Sequence, residues 1–363
     1  MRIAVLGVGL IGGSVGLAAR RRLDAEVAGF DPDAANLEAA LELNALDRGA
    51  ESVAEAVEGA ALVFCAAPVA ALPALGAEAV DAAGSGAVVT DVGSTKRRLL
   101  AGLPDTAAES FIGGHPLAGA ETSGVVNARA DLFEGARWYL TPTERSGGMH
   151  YDLLQRTVSD LGARPQAIDA DSHDRLMATV SHLPHVIANV LVQEAAAALA
   201  EESERLPEVG PSFRDTTRVA GANPAVWEDI YAANADAIAD AIDAVSMRLG
   251  DAARLIRDGE AEGVGEWHRA AREDRRRLLE AGEAGGSLRS LRVAVENRPG
   301  TVAEIALALG RARVNIEDMA LYPAADMRTG AITLWVAGAE EAERAAEIVR
   351  GLGHSASVSG GEE

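Results

Sequence analysis

Short apolar runs alternate with helical periodicity along the first 170 residues. Arg2–Leu6, Glu26–Phe30, Leu62–Cys65, Ala87–Thr90, Phe111–Gly114 and Arg137–Leu140 read as strands. Between them Asp33–Leu43 and Ala70–Ala83 repeat apolar residues at helical spacing, and Tyr151–Leu161 followed by Arg164–Ala167 gives one more helix and strand. Strand and helix in alternation predict a doubly wound parallel sheet.

Beyond Ala170 the strand pattern stops. Asp171–Ala200 reads as one long helix, apolar on all sides through Val186–Leu199. Such a helix is expected to be buried, and a subunit interface is a common place for it. Helices at Pro224–Ala232, Ala235–Arg257 and Glu262–Ala281 follow, then a Gly/Ser-rich linker, Ala281–Ser290. The last part changes character again. Strands at Leu291–Glu296, Val314–Tyr322, Ala331–Ala337 and Ser355–Val358 alternate with helices at Gly300–Gly310 and Glu340–Leu352. That βαββαβ order is ferredoxin-like. The expected division is an α/β Rossmann-like domain over residues 1–168, an all-α domain over 169–284 and a ferredoxin-like domain over 289–363. The tail after Ser359 is expected to be disordered.

The first strand runs into Gly7, Gly9 and Gly12, a G-x-G-x-x-G at the strand-to-helix turn. The first glycine permits the turn, the second admits a pyrophosphate, and the third lets helix and strand approach. Asp31 closes the second strand, where a carboxylate accepts hydrogen bonds from the adenosine ribose and repels a 2′-phosphate. NAD is therefore expected over NADP. Gly7, Gly9, Leu10, Ile11, Gly12 and Asp31 are the expected cofactor residues. Arg20, Arg21 and Arg22 fall near the end of that helix, where cations complement its dipole, and read as a solvated face.

Composition narrows the function classes. The formal net charge of −22 opposes nucleic-acid binding and attraction to anionic lipid. Apolar runs are all shorter than a membrane span needs, and the run Ile3–Leu6 leads into the glycine loop rather than a cleavage site, so neither a spanning segment nor a signal peptide is expected. The single cysteine, Cys65, excludes an internal disulfide framework and fits a reducing cytoplasm. Lys96 is the only lysine among 33 Lys and Arg residues.

Four further strings carry candidate chemistry. Thr90–Lys96 (TDVGSTK) follows a strand, so Ser94 reads either as a donor near the nicotinamide or as the N-cap of a helix over Lys96–Ala101. In Gly113–Gly124 (GGHPLAGAETSG), His115 follows a strand and precedes a proline, held to take a hydroxyl proton as hydride leaves the same carbon. Ser181–His185 (SHLPH) offers His185 and His182 to a substrate cleft. Their spacing could also hold metal with Asp171, His173 or Asp174, but no metal is expected. Phe213–Ile230 (FRDTTRVAGANPAVWEDI) offers Arg218 to a substrate carboxylate, or alternatively to an ion pair with Asp215 or Glu228; Trp227 reads as core or interface.

In this order and spacing, GVGLIGGS, DVGSTK, GGHPLAGAETSG, SHLPH and FRDTTRVAGANPAVW resemble the prephenate dehydrogenase family over nearly the whole chain. The segments VENRPGTVAEIALAL and VNIEDM resemble an ACT domain, a regulatory unit many members carry. The resemblance implies NAD-dependent oxidative decarboxylation of prephenate to 4-hydroxyphenylpyruvate in tyrosine biosynthesis, in a homodimer. By the same resemblance His115 bonds the ring hydroxyl, Ser94 lies near that hydroxyl and the nicotinamide, Arg218 clamps a carboxylate and His185 is the second cleft histidine. Pro211 and Ser212 stand where the family often has glycines, a departure from its pattern. In the ACT-like part Asn297, Gly300, Asn315 and Ile316 are the expected site for L-tyrosine as inhibitor, at an interface of two such domains; a dimerisation module without ligand is the other reading.

Three rival readings compete with this one. A β-hydroxyacid dehydrogenase resembles the chain in its glycine loop and helical second domain, but it needs a catalytic lysine after the nucleotide domain, and there is none beyond Lys96. Arogenate in place of prephenate shares the ring chemistry and stays open. A non-catalytic NAD or amino-acid sensor is opposed by His115 in its full motif together with Arg218.

Overall fold

The computed structural model describes residues 1–84, 86–118, 122–200, 209–259, 261–280, 288–296, 298–324 and 328–359. The expected linker up to residue 287, the ligand candidate Asn297, residues 119–121 of the histidine string and the tail from 360 lie outside the described residues. By packing, the chain divides into two compact units: Met1–Asp174 with Ser287–Glu363, and Arg175–Gly286.

In the first unit β1 (Arg2–Leu6), α1 (Leu10–Leu23), β2 (Glu26–Phe30), α2 (Ala34–Glu42), β3 (Arg48–Gly49), α3 (Val53–Val57), β4 (Leu62–Cys65), α4 (Leu72–Ala83) and β5 (Val88–Asp91) alternate as expected. The strands pair in parallel in the order β3-β2-β1-β4-β5. β4 and β5 are buried at every position, as strands covered on both faces must be. The order reverses between β1 and β4, so the carboxyl end of β1 opens into the crevice where such sheets bind ligands. β5 ends one residue later than its apolar pattern suggests, which makes Asp91 its last residue.

The next three strands form a separate sheet in the order β6-β7-β8 instead of extending the parallel one. After α5 (Arg97–Ala101), β6 (Gly113–Pro116) runs antiparallel to β7 (Arg137–Thr141), and β8 (Arg164–Ala167) follows α6 (Gly148–Asp160) parallel to β7. Phe111, expected to open the strand, makes only an isolated bridge to Val89. His115 therefore sits inside β6, opposite Tyr139, rather than in a loop after it.

The expected single helix over Asp171–Ala200 is α7 (Ala170–Met177), a π-helical turn at Ala178–His182, and α8 (Leu183–Ala200). Pro184 lacks the N–H that a regular ladder needs, which accounts for the local change of winding. α8 is also not buried on all sides within one chain: Ile187, Val190, Leu191 and Val192 are exposed. In the second unit α9 (Pro211–Thr217), α10 (Pro224–Ala233), α11 (Ala235–Asp258) and α12 (Ala261–Glu280) follow, around a small core of Ala178, Ala237 and Ile238. Pro211 and Ser212 simply open α9, with proline at a first-turn position that tolerates it.

The chain returns to the first unit with β9 (Leu288–Glu296), α13 (Thr301–Arg311), β10 (Asp318–Pro323), β11 (Thr329–Ala337), α14 (Ala339–Gly351) and β12 (Ser355–Ser359). These strands form an antiparallel sheet in the order β10-β11-β9-β12. Its helices share a core with α6 and β8: Leu154, Val158 and Ala167 cluster with Val302, Ile305 and Leu309. This docking changes three expectations about the ligand loop. The Gly300 N–H donates to Ser146 O at 3.2 Å and so is not held for a carboxylate. Asn315 and Ile316 precede β10 instead of beginning it, because Ile316 turns into the core. Asn315 gives its amide to Glu317 Oε1 at 2.7 Å.

Candidate functional site

The three glycines of the first loop do different work. Gly7 has φ +95°, and a Cβ there would lie 2.4 Å from Ala66 O; a Cβ on Gly12 would lie 2.0 Å from Gly7 O. Both are needed for the protein to pack on itself. A Cβ on Gly9 would meet nothing within 4 Å, so that glycine faces open space. Leu10 and Ile11 begin α1 beside it, with their helix-terminal N–H groups at the loop. Asp31 accepts from Val8 N at 2.7 Å, from Asp33 N at 2.9 Å and from the Asn36 amide at 3.1 Å. It thus fixes the loop while keeping a carboxylate at the end of β2. This arrangement fits NAD: a cradle for the pyrophosphate at Gly9 and an acid for the ribose.

On the same unit a chain of polar groups ends at His115. Asp174 Oδ1 lies 2.8 Å from His173 Nδ1, and His173 Nε2 lies 2.9 Å from His115 Nδ1. The two rings meet edge to face. His173 and Asp174 are buried, and His115 is half-buried. A carboxylate only accepts, so His173 Nδ1 carries the proton and its Nε2 accepts from His115 Nδ1–H. That assignment leaves the lone pair of His115 on Nε2. Burial lowers the basicity of His173, and the charge of Lys96 adds to this, against the opposing pull of Asp174 and Asp91. Burial would raise the Asp174 pKa, but hydrogen bonds from His173 and from the Arg97 and Lys96 N–H groups hold it below the ordinary carboxylate value.

Lys96 is fully buried. Its Nζ pairs with Asp91 Oδ2 and donates to Gly114 O at 2.6 Å. Asp91 in turn accepts from Gly114 N at 3.0 Å and Gly93 N at 2.7 Å. Ser94 lies half-buried in the bend between β5 and α5. It does not cap α5, as one reading had it. The N–H groups of Lys96 and Arg97 donate instead to the two oxygens of Asp174, at 2.8 and 2.9 Å.

On the second unit, His185 stacks on Trp227 with ring centroids 3.7 Å apart. Burial lowers its pKa and nearby Arg218 adds to that, while a hydrogen bond to the Val219 backbone opposes both. Arg218 is exposed in the short turn after α9. His182, expected in the cleft, is instead buried, with Nδ1 3.3 Å from the Asn234 amide and its ring edge-on to Trp227.

Residues 15–166 match the prephenate dehydrogenase nucleotide-binding domain family and residues 169–270 the prephenate dehydrogenase dimerization domain family. The chain belongs to the prephenate dehydrogenase family. It is an NAD-dependent oxidoreductase. A prephenate dehydrogenase of Bacillus subtilis is 30% identical over 358 residues, covering 96% of this chain and 95% of that protein. The prephenate dehydrogenase of Aquifex aeolicus, solved with hydroxyphenyl propionate and NAD+, superposes with TM-score 0.72 at 30% identity, over 77% of this chain and 98% of that one. A Synechocystis arogenate dehydrogenase superposes with TM-score 0.67 at 27% identity, over 77% of this chain and all of that one.

The sequence singles out His115 but not the residues that hold it. In the sequence alone His173 and Asp174 read only as possible metal ligands, and Asp91 carries no reading. The signals were present: an adjacent His-Asp pair at the start of a helix, and a solitary lysine in a chain rich in arginine.

Proposed function

We propose that this chain oxidises prephenate with NAD, using His115 as the base. The observation that carries the reading is the Asp174–His173–His115 chain, which leaves an acceptor nitrogen on His115 near the carboxyl end of β6. When bound, NAD supplies the hydride acceptor. His115 Nε2 takes the proton from the ring hydroxyl as hydride leaves the same carbon. The bond to the ring carboxylate then breaks, carbon dioxide leaves, and its electron pair enters the ring. The former carbonyl oxygen becomes a phenol oxygen and takes a proton back from His115. Aromatisation makes that second step downhill, so the protein's task is to orient the ring and hold one proton.

Ser94 is assigned to the hydroxyl and nicotinamide side of the ring, Arg218 to a substrate carboxylate, and His185 on Trp227 to the cleft wall, with His182 supporting that wall. Residues 1–168 bind cofactor and 169–284 bind substrate and pair two chains. The exposed apolar residues of α8 favour a homodimer. Ala170–Ala197 is apolar and long enough to cross a membrane, but it opens with the hydrogen-bonded His173 and Asp174, which argues for protein contact. Residues 289–363, with βαββαβ order, are read as a ferredoxin-like ACT unit through which L-tyrosine inhibits.

The test follows NADH formation with prephenate and with arogenate, with NADP in place of NAD, and with added tyrosine. His115→Asn is expected to lower kcat by at least about 1,000-fold while NAD still binds. Retention of a tenth of the rate would refute the role of His115, and faster turnover of arogenate would move the substrate assignment to the transaminated ring.

A further inference from the structure

Lys96 meets both ends of the hydrogen-bonded chain that leads to His115. Its backbone N–H donates to Asp174 Oδ1 at 2.8 Å, at the far end. Its ammonium donates to the carbonyl of Gly114, the residue before His115, at 2.6 Å. The ion-pair partner Asp91 accepts the N–H of that same Gly114 at 3.0 Å. One buried ion pair thus clamps both polar groups of the residue that carries the backbone into His115. The two glycines of the histidine string make room for it. A Cβ on Gly113 would lie 3.1 Å from Lys96 Cδ and 2.3 Å from Thr141 Oγ1, and one on Gly114 would lie 2.5 Å from Asp91 O.

We propose that Lys96 is a positioning residue for the oxidation: its main chain fixes Asp174 and its side chain fixes Gly114, so a single residue sets the geometry of the Asp174–His173–His115 chain from both ends. The inference rests on His115 being the base. An ion pair buried this completely is costly to desolvate, and apolar residues of similar volume could fill the space at less cost. What they could not do is hold a peptide carbonyl and N–H together in a fixed direction.

The charges around His173 give the clamp a signature beyond structure. Asp91 comes from the end of β5, Lys96 from the start of α5, Asp174 from α7, His115 from β6 and Tyr139 from β7. The Lys96 charge disfavours protonation of His173, while Asp174 and Asp91 favour it. Removing the ammonium alone therefore moves the acid limb of the kcat profile to higher pH. Removing Asp91 and Lys96 charges together removes one influence of each sign and returns the limb toward its original place.

The experiment compares Lys96→Met, the paired variant Asp91→Asn with Lys96→Met, and His115→Asn, by kcat across pH and by NAD affinity from quenching of tryptophan fluorescence. Lys96→Met is expected to lower kcat by about 100-fold or more with NAD affinity within about threefold, and to raise the acid limb. The paired variant leaves no lone buried carboxylate and carries the test if Lys96→Met does not fold. It is expected to keep the low kcat with the limb near its wild-type position. Either variant turning over within about threefold of wild type overturns the clamp, as does an acid limb unmoved in folded Lys96→Met. If His115→Asn stays active the base assignment itself falls; if it is inactive while Lys96→Met is not, only the role of Lys96 falls.

Discussion

Glycine serves opposite ends in the loop after β1 and in the strand β6. At Gly9 the missing side chain leaves emptiness, with nothing within 4 Å of where a Cβ would be. At Gly114 it leaves room for the protein's own polar groups, with the Asp91 backbone O, Thr90 Oγ1 and Trp138 Nε1 all within 3.0 Å of that point. The first leaves room for a ligand, and the second is filled by the protein itself and holds the backbone before His115 in place. Adding the same methyl group to each should separate the two purposes.

The larger effect is expected at Gly114. In Gly114→Ala the new methyl must displace the Asp91 backbone carbonyl and the Thr90 and Trp138 side chains, an overpacking that costs about 1–3 kcal/mol. Urea denaturation should report that loss, and kcat should fall by about 100-fold because the residue after it is His115. In Gly9→Ala the fold should be stable to within about 0.5 kcal/mol. The KM for NAD should nevertheless rise about tenfold, because the methyl occupies the pyrophosphate's approach. Equal destabilisation of the two variants would erase the distinction.

The same contrast explains how much could be read from the sequence. The glycine loop is local: strand, turn, helix and acid lie within 31 residues, so their spacing alone announced the cofactor. His115 was legible because glycines and proline bracket it. Its support was not, because Lys96 and Asp174 stand 78 residues apart and His115 and His173 stand 58 apart. No periodicity encodes such contacts. β6 is only four residues long and half glycine, so nothing local fixed its antiparallel direction. Val314 and Ile316 alternate like a strand, yet both are buried in the turn before β10, where Glu317 N already bonds Trp335 O. Alternation there reflects burial of a loop against α13 rather than pairing.

The buried chain should also show itself in stability against pH. The His173 pKa is lowered in the folded protein, chiefly by burial. Below the ordinary histidine value of about 6.5 the unfolded state binds a proton that the folded state refuses, so stability falls as pH falls from there toward the folded pKa. The limiting slope from this one group is about 1.4 kcal/mol per pH unit. His173→Gln should flatten that part of the curve relative to wild type between pH 6.5 and 5. An unchanged slope would mean that His173 titrates normally and that the chain to His115 is looser than its distances indicate.

The smallest effect is expected where the C-terminal sheet meets the start of α7. Asp169 precedes that helix, accepts from Ser172 N at 2.9 Å and pairs with Arg311 of α13 at 3.4 Å. Burial would raise the Asp169 pKa, but the Ser172 hydrogen bonds and then Arg311 lower it. Arg311 is mostly exposed, so its pair is screened and worth only about 0.5 kcal/mol or less. The docking itself rests on the apolar core shared with α6 and on Gly310, where a Cβ would lie 2.1 Å from Ala167 O. Arg311→Ala should accordingly leave urea stability within about 0.5 kcal/mol, while Gly310→Val should open the contact and lower it by about 1–3 kcal/mol. Because β8 and Asp169 lead directly into the helix that carries His173, the Gly310 variant should also depress kcat, and Arg311→Ala should not. If Arg311→Ala proved the more damaging, the interface would be held by charge, and salt should then weaken it measurably.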